Sequence, residues 1–311
     1  MPRLFAFSRL AAAAFLALVC LIAQPRAAHA WGNEGHRLIN RLAASTLPAD
    51  VPAFLRSQAA LDEIEYLGPE PDRWRSPAEP ELNAAQAPEH FIYLELADAL
   101  GPLPHRRLDF EAAAFAAGQR PEKIGLQPWE ATEVWERLKA ALREYRHLAA
   151  AGPATNPDML AAEHAVLFYA GWLGHYVGDA SQPLHTTINY NGWAGPNPHC
   201  YTTGHQIHWQ FEGPFVAANI HAREVQAGMT PPRVIQDDIF NAYVGYLRQT
   251  ATNVEKVYQL EKAGGFVGAG SAESRDFTAA RLAAGASMLR DMIYTAWLDS
   301  ANPISNPHGD K

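Results

Sequence analysis

Three observations predict an all-α fold organised as a single multi-helix domain. Ala, Leu, Glu and Arg recur at helical spacing over long stretches, Pro and Gly gather between those stretches, and strand-like alternation is nearly absent. In chain order, helices are expected first over 34–46 and 50–60. The string Gly68-Pro69-Glu70-Pro71, the stretch from Ser76 to Pro88 and that from Gly101 to Pro104 then interrupt helical spacing. Within this region, His90-Phe91-Ile92-Tyr93-Leu94 fits an extended segment or a short helix equally well. Long helices follow over 128–150 and 157–180, the second closed by Pro183, which cannot continue a helix. Beyond Gly195 to Pro198, helices are expected over 205–225, 233–262 and 275–299. No internal repeat or low-complexity linker divides the chain, so residues 31–311 read as one domain.

Residues 1–30 have the pattern of a secretory signal: Arg3 and Arg9, an apolar run from Leu10 to Ala23, and Ala28-His29-Ala30 as a small-residue cleavage site. That run, at about 14 residues, is shorter than the ~20 a membrane span needs. A soluble protein, secreted or periplasmic and cut after Ala30, is the expectation. Subtracting the three arginines of residues 1–30 from 25 leaves 22 basic against 33 acidic residues, a balance of −11. Such a charge argues against a duplex-binding protein, which needs a basic face for the phosphate backbone. Cys20 leaves with the signal and Cys200 stands alone, so no intrachain disulfide is available; Cys200 reads as an idle thiol rather than a metal ligand.

Candidate chemistry lies in the histidines and carboxylates. In His175-Tyr176-Val177-Gly178-Asp179-Ala180-Ser181-Gln182-Pro183-Leu184-His185, His175 and Asp179 share one helix face, and Pro183 lets His185 turn back toward it. Two imidazoles and a carboxylate converging in this way suit zinc. His208 and Glu212 repeat the four-residue spacing. Asp72, in Pro71-Asp72-Arg73-Trp74-Arg75, and His90 are further ligand candidates. Cleavage after Ala30 would free the amine of Trp31, which with its own carbonyl can chelate a metal ion, and His36 follows five residues later. His164, about three turns before His175, lies too far along its helix to join them and reads as structural.

With these residues the chain resembles the superfamily that joins zinc-dependent phospholipase C with single-strand-specific nucleases of the S-one/P-one type. The resemblance runs from Trp31 to about Glu212. It implies a helical protein with three zinc ions: one on Asp72, His90, His175 and Asp179; a second on His185, His208 and Glu212; a third on Trp31, His36 and the other oxygen of Asp179. It further implies a secreted phosphodiester hydrolase whose nucleophile is a hydroxide bridging two zinc ions, with Arg75 steadying the phosphoryl oxygens.

The nuclease branch is favoured by the Trp31 to His36 spacing, the Asp72 and Arg75 pair, the Gly-Asp-x-x-Gln-Pro-Leu-His string and the 23-residue step from His185 to His208. Single-stranded DNA or RNA is therefore the expected substrate, with phospholipid head groups as the alternative and a monomer as the expected state. Phe91 matches the ring that stacks on a base in the nucleases. Tyr93, however, replaces the aspartate that hydrogen-bonds that base, Glu212 stands where the nucleases carry aspartate, and the nuclease disulfides are missing. Tyr190 and Trp193, in Asn189-Tyr190-Asn191-Gly192-Trp193, could wall a substrate site by stacking on a base or by cation–π contact with choline. A non-catalytic zinc-binding protein is the reading from another class; it would have no activity to lose on removal of Arg75.

Overall fold

Helix α1, Gly32–Ser45, buries one face through Gly35, His36, Ile39, Asn40, Leu42 and Ala43, the three-to-four spacing of an amphipathic helix. The structure is a computed structural model and describes residues 31–152 and 157–302. The expected signal segment and its cleavage point after Ala30 lie outside the described residues. Helices α2 (Gln58–Leu67), α3 (Glu70–Trp74), α4 (Pro80–Gln86), α5 (Leu94–Asp98), α6 (Arg107–Ala116), α7 (Pro121–Ile124), α8 (Gln127–Ala151) and α9 (Pro157–Asp179) follow. The chain continues through α10 (Ile207–Glu212), α11 (Pro214–Asn219), α12 (Ala222–Ala227), α13 (Ile239–Ala251), α14 (Val254–Lys262) and α15 (Ala272–Asp299). Short 3-10 turns occupy Ala53–Arg56, Ala87–His90 and Pro183–Thr186. Among the described residues the regular structure is all helical, with no strand beyond one isolated bridge between Tyr190 and Gly192.

Helix α9 is central: it packs against α1, α2, α8 and α15, and α15 also packs on α1 and α8. One buried apolar cluster runs from Trp31 to Ala296 across these helices. No helix among the described residues is long and apolar enough to cross a membrane.

Glycines on α9 set how closely α1 approaches. A Cβ on Gly174 would lie 2.0 Å from Asn40 Oδ1, and one on Gly178 would lie 2.9 Å from His36 Nδ1. Asn40 uses the approach to bond across three helices, its Nδ2 donating to Ile64 O and Gly171 O at 2.9 Å each. The same approach places His36 beside the last turn of α9.

Several expected helices are divided or displaced. The 50–60 helix is a 3-10 turn followed by α2, because Ser57 adopts an extended conformation and its side chain accepts from Ala60 N. The 205–225 helix is three short ones: Gly213 breaks α10, Pro214 opens α11 where its missing N–H costs nothing, and Ile220 is extended before α12. In place of a helix over 233–262, helix begins only at Ile239 behind the Asp238 cap and breaks again before Val254. Tertiary bonding decides the displaced start: Arg233 N and Ile235 N donate to Asp291 and Thr295 of α15, so the segment runs along that helix. Helices α3 and α4 and the turn at His90 fill a stretch expected to lack helix, with Pro at the first turn of each. His90 closes its 3-10 turn and Phe91 is extended, so the 90–94 segment takes the extended form until α5 begins.

Gly174→Ala is expected to cost about 1–3 kcal/mol of unfolding free energy, the usual penalty for overpacking. Gly245→Ala is its control: this exposed residue of α13 has nothing within 4 Å of an added Cβ. The control should gain about 0.5–1 kcal/mol, since glycine is a poor helix former. Urea denaturation of both variants checks the pair.

A candidate metal centre at the end of helix α9

The residues singled out along 180 positions of sequence converge where α9 ends. His175 and Asp179 sit on its last turn, α1 contributes His36, α3 contributes Asp72, and the 3-10 turn before Phe91 contributes His90. Pro183 opens the 3-10 turn that carries His185, and α10 supplies His208 and Glu212. All are buried. Three groups have ligand atoms within 4.8 Å of one another: His36, Asp72 and His175; His90, His175 and Asp179; and His185, His208 and Glu212.

Asp179 faces two ways. Its Oδ1 lies 3.2 Å from His36 Nε2, while Oδ2 lies 3.4 Å from His175 Nε2 and 3.9 Å from His185 Nδ1. Asp72 Oδ1 lies 3.7 Å from His90 Nε2 and 4.0 Å from His175 Nε2. In the third group His208 Nε2 is 2.8 Å from Glu212 Oε2 and 3.2 Å from His185 Nε2.

Four of the imidazoles are oriented by main-chain carbonyls. The Nδ1 atoms of His90, His175, His185 and His208 lie 2.6–2.9 Å from Gln86 O, Gly68 O, His90 O and Tyr190 O, respectively. A proton on each Nδ1 completes these bonds and leaves the Nε2 lone pair for a ligand, the usual outer support of metal-binding histidine. Nε2 of His90 and His175, both oxygens of Asp179 and Oε1 of Glu212 are buried without hydrogen-bond partners. A buried carboxylate in that condition costs several kcal/mol, and a divalent cation is the partner whose chemistry fits this nitrogen and oxygen set.

Electrostatics at the site follow from burial. Burial pushes Asp179 well above the usual carboxylate range. It pushes His90 down to about 3, helped by the Arg75 charge, and His175 well below its usual value, helped by His36. For His208, burial is outweighed by the Glu212 carboxylate, which raises it; the same contact holds Glu212 low despite burial.

A cavity of about 220 Å³ opens beside the centre, lined by Arg75, His90, Phe91, Tyr93, Leu184, His185, Tyr190 and His208. Arg75 Nη1 stands 3.9 Å from Asp72 Oδ1, too far for a hydrogen bond, and its Nε is buried without a partner. Arg73, rather than Arg75, pairs with Glu70. Phe91, Tyr93 and Tyr190 form a row of stacked rings along one wall.

Trp193 lies elsewhere. Its ring packs on Tyr201 and Tyr258, its Nε1 donates to Pro196 O, and it lines a neighbouring hollow instead of the cavity beside the histidines. Trp31 is fully buried, its indole Nε1 2.8 Å from both Gly178 O and Ser181 Oγ and its ring edge-on to Phe211. The Trp31 carbonyl accepts from Gly35 N, which leaves one of its lone pairs for another partner. Cys200 is exposed and outside the three groups; His164 is exposed and faces Glu63.

Sequence reasoning passed over the residues that hold the ligands in place. Gln182 donates to Glu212 Oε2 at 3.0 Å while its Oε1 accepts from Leu184 N, so one side chain fixes both a ligand and the turn before His185. Gln127 donates to His90 O. Glu89, the residue before His90, is buried and pairs with the partly exposed Arg107; burial, then the neighbouring Glu130 charge, lift it to about 8. Of these, Gln182 carries a sequence signal, since it lies inside the Gly-Asp-x-x-Gln-Pro-Leu-His string.

Comparison with protein families, curated proteins and solved structures gives no match.

Asp179→Asn is expected to lower bound metal by at least one equivalent per chain, because one carboxylate faces two of the groups; elemental analysis checks it, and wild-type content would remove Asp179 from the centre. Metal uptake should also release protons and tighten as pH rises. The sign follows from Asp179 and His208, whose upward shifts favour the protonated forms an ion competes with, while the downward shifts of His90 and His175 favour neutral rings. Calorimetric titration of zinc in buffers of different ionisation enthalpy measures the release.

Proposed function

We propose that this protein is a zinc-dependent phosphodiester hydrolase that cleaves single-stranded nucleic acid, secreted or periplasmic after removal of residues 1–30, with three zinc ions as cofactors. The observation that carries the reading is the adjacency of the buried ligand groups to a cavity that also presents the Arg75 guanidinium. A cavity that presents a guanidinium beside a potential metal centre suits a phosphodiester more than a neutral ester or amide.

Zinc supplies Lewis acidity toward a phosphoryl oxygen and lowers the pKa of water. The chain's own groups do the rest. Arg75, about a quarter exposed and without a full hydrogen-bond complement, offers its guanidinium to the non-bridging phosphoryl oxygens. Asp72, near both Arg75 and His90, holds that guanidinium at the edge of the cavity through charge. Gln182 keeps Glu212 from swinging away, and the carbonyl of His90 keeps the His185 ring turned inward. Leu184 and the rings of Phe91, Tyr93 and Tyr190 give the cavity an apolar wall that limits competing water. In this reading Trp31, freed at its amine, and His36 complete the third ion's set beside Asp179 Oδ1.

Nucleic acid is preferred to phospholipid on the spacings shared with the nuclease branch, from Trp31 to His36 and from His185 to His208; Trp193, a candidate wall for either substrate, packs away from the cavity. Arg75→Ala is expected to lower kcat/KM on single-stranded DNA by about 10²–10³-fold, the range for one removed charge stabiliser, while zinc content stays at the wild-type level. The panel is the zinc-loaded protein beginning at Trp31 on single-stranded DNA, RNA and phosphatidylcholine vesicles. Hydrolysis of vesicles alone would transfer the reading to phospholipase C, and hydrolysis of none would leave a zinc-binding protein.

A further inference from the structure

The cavity wall contains a row of three aromatic rings whose order has a consequence for what the cavity can admit. Phe91 and Tyr93 stand two residues apart on extended backbone, so their side chains project to the same side. Their ring centroids are 4.5 Å apart with planes 30° from parallel. Tyr190 comes from the distant loop and stacks on Tyr93 at 5.5 Å and 14°. Tyr93 is therefore the ring on which both of the others stack. Its backbone is fixed as well, since its N–H donates to Ile124 O at 2.7 Å.

We propose that Tyr93 is a specificity-determining residue that fills, with its own phenol, a slot between Phe91 and Tyr190 that would otherwise clamp a flat heterocycle. Phe91 and Tyr190 each stack on Tyr93, at 4.5 and 5.5 Å, so the Tyr93 phenol occupies the space a flat heterocycle would need against either ring. With the slot filled, the cavity presents its ligand groups and Arg75 to the phosphodiester, and the base has no aromatic sandwich to enter. Tyr190, 45% exposed, keeps contact with solvent at the outer end of the row. The inference rests on the phosphodiesterase reading only for the identity of the heterocycle as a nucleobase. It makes the enzyme indifferent to base identity, reading the sugar-phosphate backbone instead.

The test is a gain of binding. The fluorescent nucleotide 2-aminopurine riboside 5′-monophosphate is titrated into the wild type, Tyr93→Gly and Tyr93→Ser, with zinc content and far-UV circular dichroism confirming that each variant is folded. Saturable quenching is expected in Tyr93→Gly and Tyr93→Ser at a concentration at least ten-fold lower than any quenching by the wild type, within the range base-on-ring stacking provides. Tyr93→Phe, which keeps the ring, should show no gain, and Tyr190→Ala combined with Tyr93→Gly should abolish the gain by removing one wall. Saturable quenching by the wild type as tight as that of Tyr93→Gly overturns the proposal, as does a folded, zinc-loaded Tyr93→Ser without gain.

A second measurement uses the wild type alone and needs no variant to fold. Oligonucleotides with and without an abasic position at the cleaved linkage should be cut with KM values within about three-fold of each other, whereas a ten-fold preference for the base-bearing strand overturns the plugged slot. Failure to cut any nucleic acid would overturn the substrate reading, and the nucleotide titration would still decide the role of Tyr93.

Discussion

Asp179 is placed where a carboxylate is hardest to keep. It is completely buried, and it occupies the last residue of a 23-residue helix, the end at which the peptide dipoles already concentrate partial negative charge. Neither of its oxygens has a hydrogen-bond partner. Three imidazole rings, from α1, from α9 itself and from the turn after it, surround this one group. The close approach of α1 through the α9 glycines and the sharp turn at Pro183 both serve to bring them there. In a fold held together by apolar burial, this is the point at which apolar burial alone gives no account of the arrangement, and a bound cation would.

The ligand set was legible in the sequence to the extent that it depends on local geometry. His175 with Asp179, and His208 with Glu212, lie four apart on helices, so their convergence follows from helical pitch alone. Pro183 marked the turn that brings His185 back. The parts that were not legible are those supplied by the main chain. The carbonyls of Gly68, Gln86, His90 and Tyr190 orient the imidazoles, and a carbonyl carries no signature of its use. The direction of Trp193 was equally hidden, because a loop of alternating polar and aromatic residues does not reveal which ring meets the cavity and which meets Tyr258.

The fold shows the same division. Long helices with a continuous buried face, such as α8 and α9, were anticipated within a residue or two, since periodicity over 20 or more residues leaves little ambiguity. Short helices were missed where the stretch between turn residues was brief. Helix α6, for example, buries only Phe110 and Ala114, too few positions to set up a readable period. The start of α13 was displaced for a different reason: the preceding residues spend their backbone donors on Asp291 and Thr295 of a helix more than fifty positions later, a preference that no local window contains.

One peptide unit joins ligand groups that the sequence separates. The ring of His90 belongs with His175 and Asp179, yet its carbonyl is the acceptor for His185 Nδ1, and His185 belongs with His208 and Glu212. Gln127 ties that same carbonyl to the first turn of α8. A shift of the backbone at His90 would therefore move the anchor of His185 with it, so the two groups share one main-chain support. If the centre binds metal, occupancy of one group would then be felt at the other through the backbone at His90.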